Sequence, residues 1–237
     1  MKKCFFICLV VNSYISIAQT IATDRPSAQT DNSYTLYHKA FQVESGLMYS
    51  FSDGNNQLMS LPNLLLRYGG FENIEFRFST DLLYNNTENE FSINPIQLGT
   101  KIQIIRKEEF QLAALSMITL DSNNQNTNIK IVGNNLIANT FSIGYTLGHN
   151  FSVIKNNNSL NYSIFLSNSF SEKFGVFLEF YGLSYYTNIN VNHAINFDFG
   201  GSFKLSDVMQ VDAYFGKGLN SDMYFASVGF SYLFNKI

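Results

Sequence analysis

Apolar and polar residues alternate with a period of two along nearly all of this chain, and strand charges fall on the polar side. In FQVESGLMYSF, Phe41, Val43, Leu47, Tyr49 and Phe51 share one face, while Gln42, Glu44, Gly46 and Ser50 share the other. Successive side chains of a β-strand point to opposite faces, so this period predicts strands with one apolar and one polar side. The pattern recurs at 58–68, 74–82, 96–104, 141–148, 160–170, 174–181, 193–204, 211–215 and 224–234. Residues 110–120 are apolar on both faces and leave their register open; 129–138 fit least well, being interrupted by Gly133, Asn134 and Asn135. The count is about twelve strands, each near the roughly 9–11 residues that a tilted membrane strand needs.

The charges decide where the apolar side points. Glu44, Arg67, Glu75, Arg77, Asp81, Lys101, Glu179, Asp198, Lys204 and Asp212 all stand opposite the Phe, Ile and Leu residues of their strands. A charge facing lipid costs up to about 2–4 kcal/mol near the bilayer midplane, so a membrane barrel enforces such segregation. A soluble sandwich also alternates, but its polar face meets water and carries many Lys and Glu. Here that face is mostly Ser, Asn, Gly and Gln. Hydrophobic residues make up 46% of the chain and charged ones 14%, with 23 Phe and 14 Tyr. A typical soluble domain has about 25% charged residues. These features predict an all-β fold, a closed antiparallel transmembrane β-barrel in which closure satisfies every backbone N–H and C=O. The net charge of −3 offers no basic footprint for nucleic acid.

Connections alternate in length as well. Short turns at 106–108, 171–172 and 206–207 interleave with longer polar ones at 85–90, 121–128 and 155–159, the pattern of short periplasmic turns and longer outer loops. Residues 1–18 read as a secretory signal: Lys2 and Lys3, an apolar run from Cys4 to Val11, then small residues before a cut after Ala18. Both cysteines would leave with it, so no disulfide or thiolate chemistry is expected. The division is then signal peptide 1–18, periplasmic N-terminal segment 19–40 and barrel 41–237.

TDRPSAQT (residues 23–30) followed by FQVESG (residues 41–46) resembles the N-terminal signature of the outer-membrane proteins catalogued under the meta-pathway of phenol degradation, often labelled transporters. The similarity continues through LLLRYGGFENIEFRF, LGTKIQI, VFLEFYG, MQVDAYFGKGLN and VGFSYLF, in order along the chain. Lys39 and Ala40 stand where a Gly usually precedes the first strand, and Asn235, Lys236 and Ile237 extend past the terminal aromatic Phe234. The resemblance implies an outer-membrane barrel that passes small, aromatic or hydrophobic compounds. It also favours an ordered N-terminal strap at Asp24, Arg25 and Pro26 over a mobile tail.

No phosphate-binding Gly loop, paired-His metal motif or Gly-x-Ser-x-Gly elbow is present, and His38, His149 and His193 are scattered over different segments. Nothing in the sequence pairs a Ser with a His. The expectation is a non-enzyme without cofactor or metal. The ten strand charges named above are the candidate solute path, setting selectivity by their local fields. Alternatively they pair with one another and fill a narrow barrel; twelve strands lie between the eight of filled barrels and the sixteen of open porins. Two functions stay open: a passive channel for small solutes, or a structural or surface-interaction barrel with a shut interior and partner-binding Asn-rich loops. Expected partners are outer-membrane lipids, the barrel-assembly machinery and an unidentified solute, for a monomer in a Gram-negative outer membrane. Tyr49, Phe51, Tyr186, Tyr224 and Phe234 are candidates for interfacial girdles.

Overall fold

The alternating stretches become thirteen strands in a computed structural model, which describes residues 19–25, 29–52, 56–121, 125–153, 158–186 and 191–235. They are β1 (Phe41–Ser52), β2 (Asn56–Phe71), β3 (Ile74–Asn85), β4 (Glu90–Ile93), β5 (Ile96–Arg106), β6 (Phe110–Leu120), β7 (Asn126–Ala138), β8 (Phe141–Ser152), β9 (Ser159–Ser169), β10 (Phe174–Tyr186), β11 (Val191–Ser206), β12 (Met209–Gly218) and β13 (Tyr224–Phe234). The signal stretch 1–18, Pro26 and the tips of several loops lie outside the described residues.

Apart from β4 and β5, every sequential neighbour pairs antiparallel, and β1 pairs with both β2 and β13, which closes the sheet on itself. The wall is twelve strands round, because β4 and β5 share one position. β5 pairs with the first half of β3, from Ile74 to Ser79, and β4 with its last four residues, from Leu82 to Asn85. Pro95 interrupts the line between them; it has no N–H to give to a ladder. Asn94 holds the break, its N–H donating to the Asp81 carbonyl at 2.8 Å. An all-antiparallel ring closes only with an even number of strands, so the interruption preserves the parity.

Two local expectations are corrected. The run 121–128 is not all loop: β7 begins at Asn126, and it continues through Gly133 and Asn135 in unbroken register with β6 and β8. Two-sided ladder bonding and inward packing of Val132 override the poor strand propensity of Gly and Asn. Residues 90–93, of which the sequence pattern gives only Glu90 to a loop at 85–90 and leaves 91–93 unassigned, form β4. For β6 the neighbours settle the register: Gln111, Ala113 and Leu115 are buried inside, while Ile118 and Leu120 are exposed outside.

Burial is inverted relative to a soluble protein. Ile131, Leu147, Ile164, Phe199 and Val228 lie exposed on the outer face, whereas Glu44, Arg67, Glu75, Lys101, Glu179 and Asp198 are at most 1% exposed. Apolar groups outside and charges inside are stable only where the surroundings are lipid and the interior supplies partners. Aromatic contacts lie near both rims: Phe51 stacks on Tyr224 at 5.0 Å near the loop end, and Phe41 meets Phe234 at 5.8 Å near the turn end.

Candidate functional site: the barrel lumen

The lumen is occupied by the chain's own N-terminal segment. Ile21 donates its N–H to the carbonyl of Asp207, between β11 and β12, at 2.7 Å. From there residues 22–25 run into the barrel, and residues 29–40 return to the same mouth and lead into β1. Ile21, Leu36, Ala40 and Leu233, all buried, form an apolar patch with Val208 where the segment crosses that mouth. At Lys39 the backbone turns with φ 67°, the left-handed region that favours glycine. This is the position flagged in the sequence as departing from a usual Gly, and the first turn is made there by a strained Lys. His38 stays at the surface of that turn, its Nδ1 2.9 Å from the Gly70 carbonyl oxygen.

Inside, the wall charges of β1, β2, β3 and β5 converge on the segment. Arg67 holds Glu75 through two bonds of 2.9 Å and reaches Glu44 and the carbonyl of Ala22 at 2.8 Å each. Glu44 in turn accepts the backbone N–H groups of Asp24 and Arg25 at 3.0 Å. The Asp24 carboxylate contacts Arg77, lies 3.2 Å from the Lys101 ammonium and 3.9 Å from Arg67, and accepts the Asn32 N–H at 2.7 Å. Burial pushes the Asp24 carboxyl up, but Arg67, Arg77 and Lys101 outweigh it and hold the group well below the usual carboxylate range. Asp31 behaves alike: burial opposes ionisation, and Lys130 at 2.7 Å and Arg77 at 3.2 Å overcome it.

Arg25 makes the counterpart contact on the other side. It forms a two-pronged pair with Asp212 on β12 at 3.2 and 3.3 Å, and its guanidinium also donates to Ser227 at 2.9 Å and to Asn63 at 3.2 Å. Its fork fits because Gly46 and Gly229, paired across β1 and β13, have no side chains: a Cβ on Gly229 would lie 2.1 Å from the Arg25 Nε, and one on Gly46 2.5 Å from Nη2. The returning strand of the segment is pinned at Glu179, which accepts the Thr30 N–H at 2.6 Å, then at Gln103 and Glu75, which accept the N–H groups of Thr35 and Leu36 at 2.9 and 3.0 Å.

Of the charges named from the sequence, Glu44, Arg67, Glu75, Arg77, Lys101, Glu179 and Asp212 thus touch the N-terminal segment. Asp81 binds the amides of Asn63 and Asn94 at 2.9 and 3.1 Å and braces the β4 interruption. Asp198 lies buried on β11 opposite Glu179. Lys204 is half-buried opposite Gln210, away from the central cluster. Pro26 is outside the described residues.

An aromatic wall is only half legible in the sequence: alternation puts Tyr181 and Tyr214 on the polar face with Glu179 and Asp212, while Phe177 and Phe225 are left unplaced. Phe177, Tyr181, Tyr214 and Phe225 are buried together on β10, β12 and β13, with Phe165, Met48 and Met223 packed against them. Phe165 stacks on Phe177 at 4.9 Å, and Tyr214 meets Phe225 edge-on at 5.8 Å. The signal was parity: Phe177 stands two residues from Glu179 and Phe225 two from Ser227, so both share the polar face. A cavity of about 480 Å³ is lined by Met48, Tyr181, Tyr214 and Phe225 together with Arg25, Arg77, Lys130 and the carboxylates of Asp24, Asp31 and Glu44, and the Arg25 guanidinium lies 5.7 Å from the centre of the Tyr214 ring.

The Ser–His reading also needs correction. Ser184 Oγ lies 2.9 Å from His193 Nδ1, because β10 and β11 place the two residues directly opposite each other. The alternation directs both away from the lumen. His149 contacts the Tyr186 hydroxyl near the same rim. Among the described residues, no three His, Cys, Asp or Glu gather into a metal site.

Solved structures with this fold include the COG4313 outer membrane channel from Pseudomonas putida F1, at TM-score 0.70 and 8% identity over 88% of this chain and 100% of that one. The KdgM porin in complex with disordered oligogalacturonate aligns at TM-score 0.60 and 13% identity, over 80% and 98%. The NanC porin aligns at 0.58 and 10%, over 81% and 100%. No curated protein matches the sequence. Residues 23–234, from the Asp24–Arg25 docking segment to the last wall strand, match the model of the family described as "Putative MetA-pathway of phenol degradation", and the chain belongs to that family.

Proposed function

We propose that this protein is a channel for small solutes in a Gram-negative outer membrane, reaching it by way of a signal peptide at residues 1–18, and that residues 21–25 and 29–36 close it in the resting state. The carrying observation is the central cavity of about 480 Å³, lined both by aromatic side chains and by paired cations and carboxylates. Rings supply contact area for an aromatic or hydrophobic solute, and the ion pairs of Arg25, Arg77 and Lys130 with Asp212, Asp24 and Asp31 supply polar groups for its head. The short-turn end, where both ends of the barrel wall lie, would face the periplasm and the longer loops the outside. The similar P. putida protein, an outer membrane channel, accords with this reading.

Closure follows from the contacts of the segment, which reach wall charges on β1, β2, β3, β5, β10 and β12. The barrel is read as a monomer, since closure leaves no strand edge to pair with a second copy. Single-channel recording in planar bilayers tests the proposal, with and without benzoate as a small aromatic acid, on the wild type, an Arg77→Ala variant and a chain trimmed of residues 19–30. Trimming should raise conductance and benzoate should modulate it. A trimmed barrel that conducts nothing overturns the channel reading and leaves the structural barrel with partner-binding outer loops, for which deletion of residues 123–127 should abolish surface binding.

A further inference from the structure

The N-terminal segment docks by contacts more specific than closure alone requires. Asp24 and Arg25 are consecutive, yet their side chains go to walls of opposite sign. Arg25 meets the Asp212 carboxylate on β12, while Asp24 and, further on, Asp31 meet Arg77 on β3, Lys101 on β5 and Lys130 on β7. Release of the segment therefore uncovers an acidic pocket on one side of the lumen and a cluster of cations on the other. The cavity of about 480 Å³ joins the two, bordering Arg25 in the first and Asp24, Asp31, Arg77 and Lys130 in the second.

We infer that the vacated pair of sites binds a small zwitterion with a guanidinium at one end and a carboxylate at the other, an arginine-bearing amino acid or short peptide in chemical class. Asp24 and Arg25 occupy the docked barrel as an internal stand-in for that ligand. The cationic half is built for a guanidinium. The atoms that meet Arg25 are all acceptors: Asp212 Oδ1 and Oδ2 at 3.2 and 3.3 Å, Ser227 Oγ at 2.9 Å and Asn63 Oδ1 at 3.2 Å. The Asn63 amide nitrogen is committed to Asp81 at 2.9 Å, which turns its oxygen to the pocket. The Asp212 side chain is fully enclosed, and the Tyr214 ring lies 5.7 Å from the guanidinium carbon, within cation–π reach. Gly46 and Gly229 open the slot in which the planar fork lies. An ammonium is a compact point charge and would leave the outlying acceptors unfilled.

Charge defines the other half. The Lys101 ammonium lies 3.2 Å from the Asp24 carboxylate and that of Lys130 2.7 Å from Asp31, while Arg77 contacts both carboxylates. A purely cationic ligand would displace water from these groups without supplying a counter-charge. A purely anionic one would do the same to Asp212, and an uncompensated charge in an enclosed place is costly. A zwitterion answers both walls, as the segment itself does. The inference deepens the channel reading by naming a solute class for the same lumen; it rests on that reading for release of the segment, and not for conduction.

The test is isothermal titration of the detergent-solubilised, full-length Asp24→Ala/Arg25→Ala variant, which empties both sites, with the dipeptide aspartyl-arginine. Comparison ligands are aspartyl-citrulline, in which a neutral urea replaces the guanidinium, and agmatine, which has no carboxylate. The dipeptide should bind saturably, and each comparison ligand about tenfold or more weaker, from the lost charge-assisted bonds. Wild type should bind the dipeptide more weakly than the variant, since Arg25 already fills the slot. Adding Gly229→Val should abolish binding while a heat-modifiability gel still reports the intact barrel. Wild type in planar bilayers supplies an arm that needs no variant to fold: the dipeptide should raise opening frequency by competing for the docking sites, and aspartyl-citrulline at the same concentration should not. Absence of both saturable binding and any change in opening, or an equal response to aspartyl-citrulline or agmatine, overturns the inference. A conducting barrel indifferent to the dipeptide defeats this inference alone; a dipeptide-binding barrel that never conducts, even when trimmed, defeats the channel alone.

Discussion

Asp24→Asn isolates the electrostatics that hold the lumen shut. The substitution keeps the size of the side chain and an acceptor for the Asn32 N–H, and removes one negative charge. Arg67, Arg77, Lys101 and Lys130 then face Glu44, Glu75 and Asp31, so four cations meet three carboxylates in a place where Arg67 and Lys101 are fully enclosed. Removing one partner from a buried ionic cluster costs about 3–5 kcal/mol. With about 1.4 kcal/mol per factor of ten, release of the segment should become more favourable by roughly a hundred- to a few-thousand-fold. Wall charges freed by release meet water, so the cost falls on the docked state rather than on the barrel. The assay is single-channel recording, paired with limited proteolysis of residues 19–36 and a heat-modifiability gel that reports the intact barrel. Wild type should open rarely and resist cleavage; Asp24→Asn should open often and be cut. Adding Lys101→Met restores the charge balance and should recover much of the closure. An intact Asp24→Asn barrel with wild-type opening and wild-type protection would refute the reasoning.

Other consequences can be checked singly. Gly229→Val fills the notch used by Arg25 without touching any ionic partner, and should raise opening while leaving the melting behaviour of the barrel unchanged. Lys39→Gly relieves a left-handed residue and should stabilise the folded state by about 1 kcal/mol in urea titrations. Asp24 and Asp31 titrate below their ordinary 3.8 when docked, so their contribution is fully present above that value and lost only as pH falls through the depressed one. Opening frequency should therefore stay flat from pH 8 to about 5. Val228→Arg sets a charge on the outward face midway along β13, and should destabilise the barrel in lipid by about 2–4 kcal/mol while a soluble fold would tolerate it.

Much of the wall is legible in the sequence because a strand repeats every two residues and lipid punishes charge. Those two facts assign Glu44, Arg67, Glu75, Arg77, Lys101 and Glu179 to the inner face without any coordinates, and they place the turns. Where the signal failed, the physics was non-local. The register of β6 was settled by its ladders to β5 and β7, and β7 persisted through Gly133 because both neighbours bond it. Alternation puts Tyr181 and Tyr214 inward, and the same parity, unread at Phe177 and Phe225, points those two inward as well.

Within the lumen, alternation says only that a side chain points in. Which inward groups meet depends on how the sheet closes and staggers, and on the path of a segment without periodicity of its own. Asp24 lies 53 positions from Arg77, and Arg25 lies 187 from Asp212; no local pattern relates them. The alternating sequence therefore determined a barrel with a charged interior. Closure decided that this interior holds an ionic and an aromatic sector, and that the ionic sector is taken by the chain's own N-terminal segment, because buried charges must find partners and the segment's residues 21–25 and 29–36 supply them.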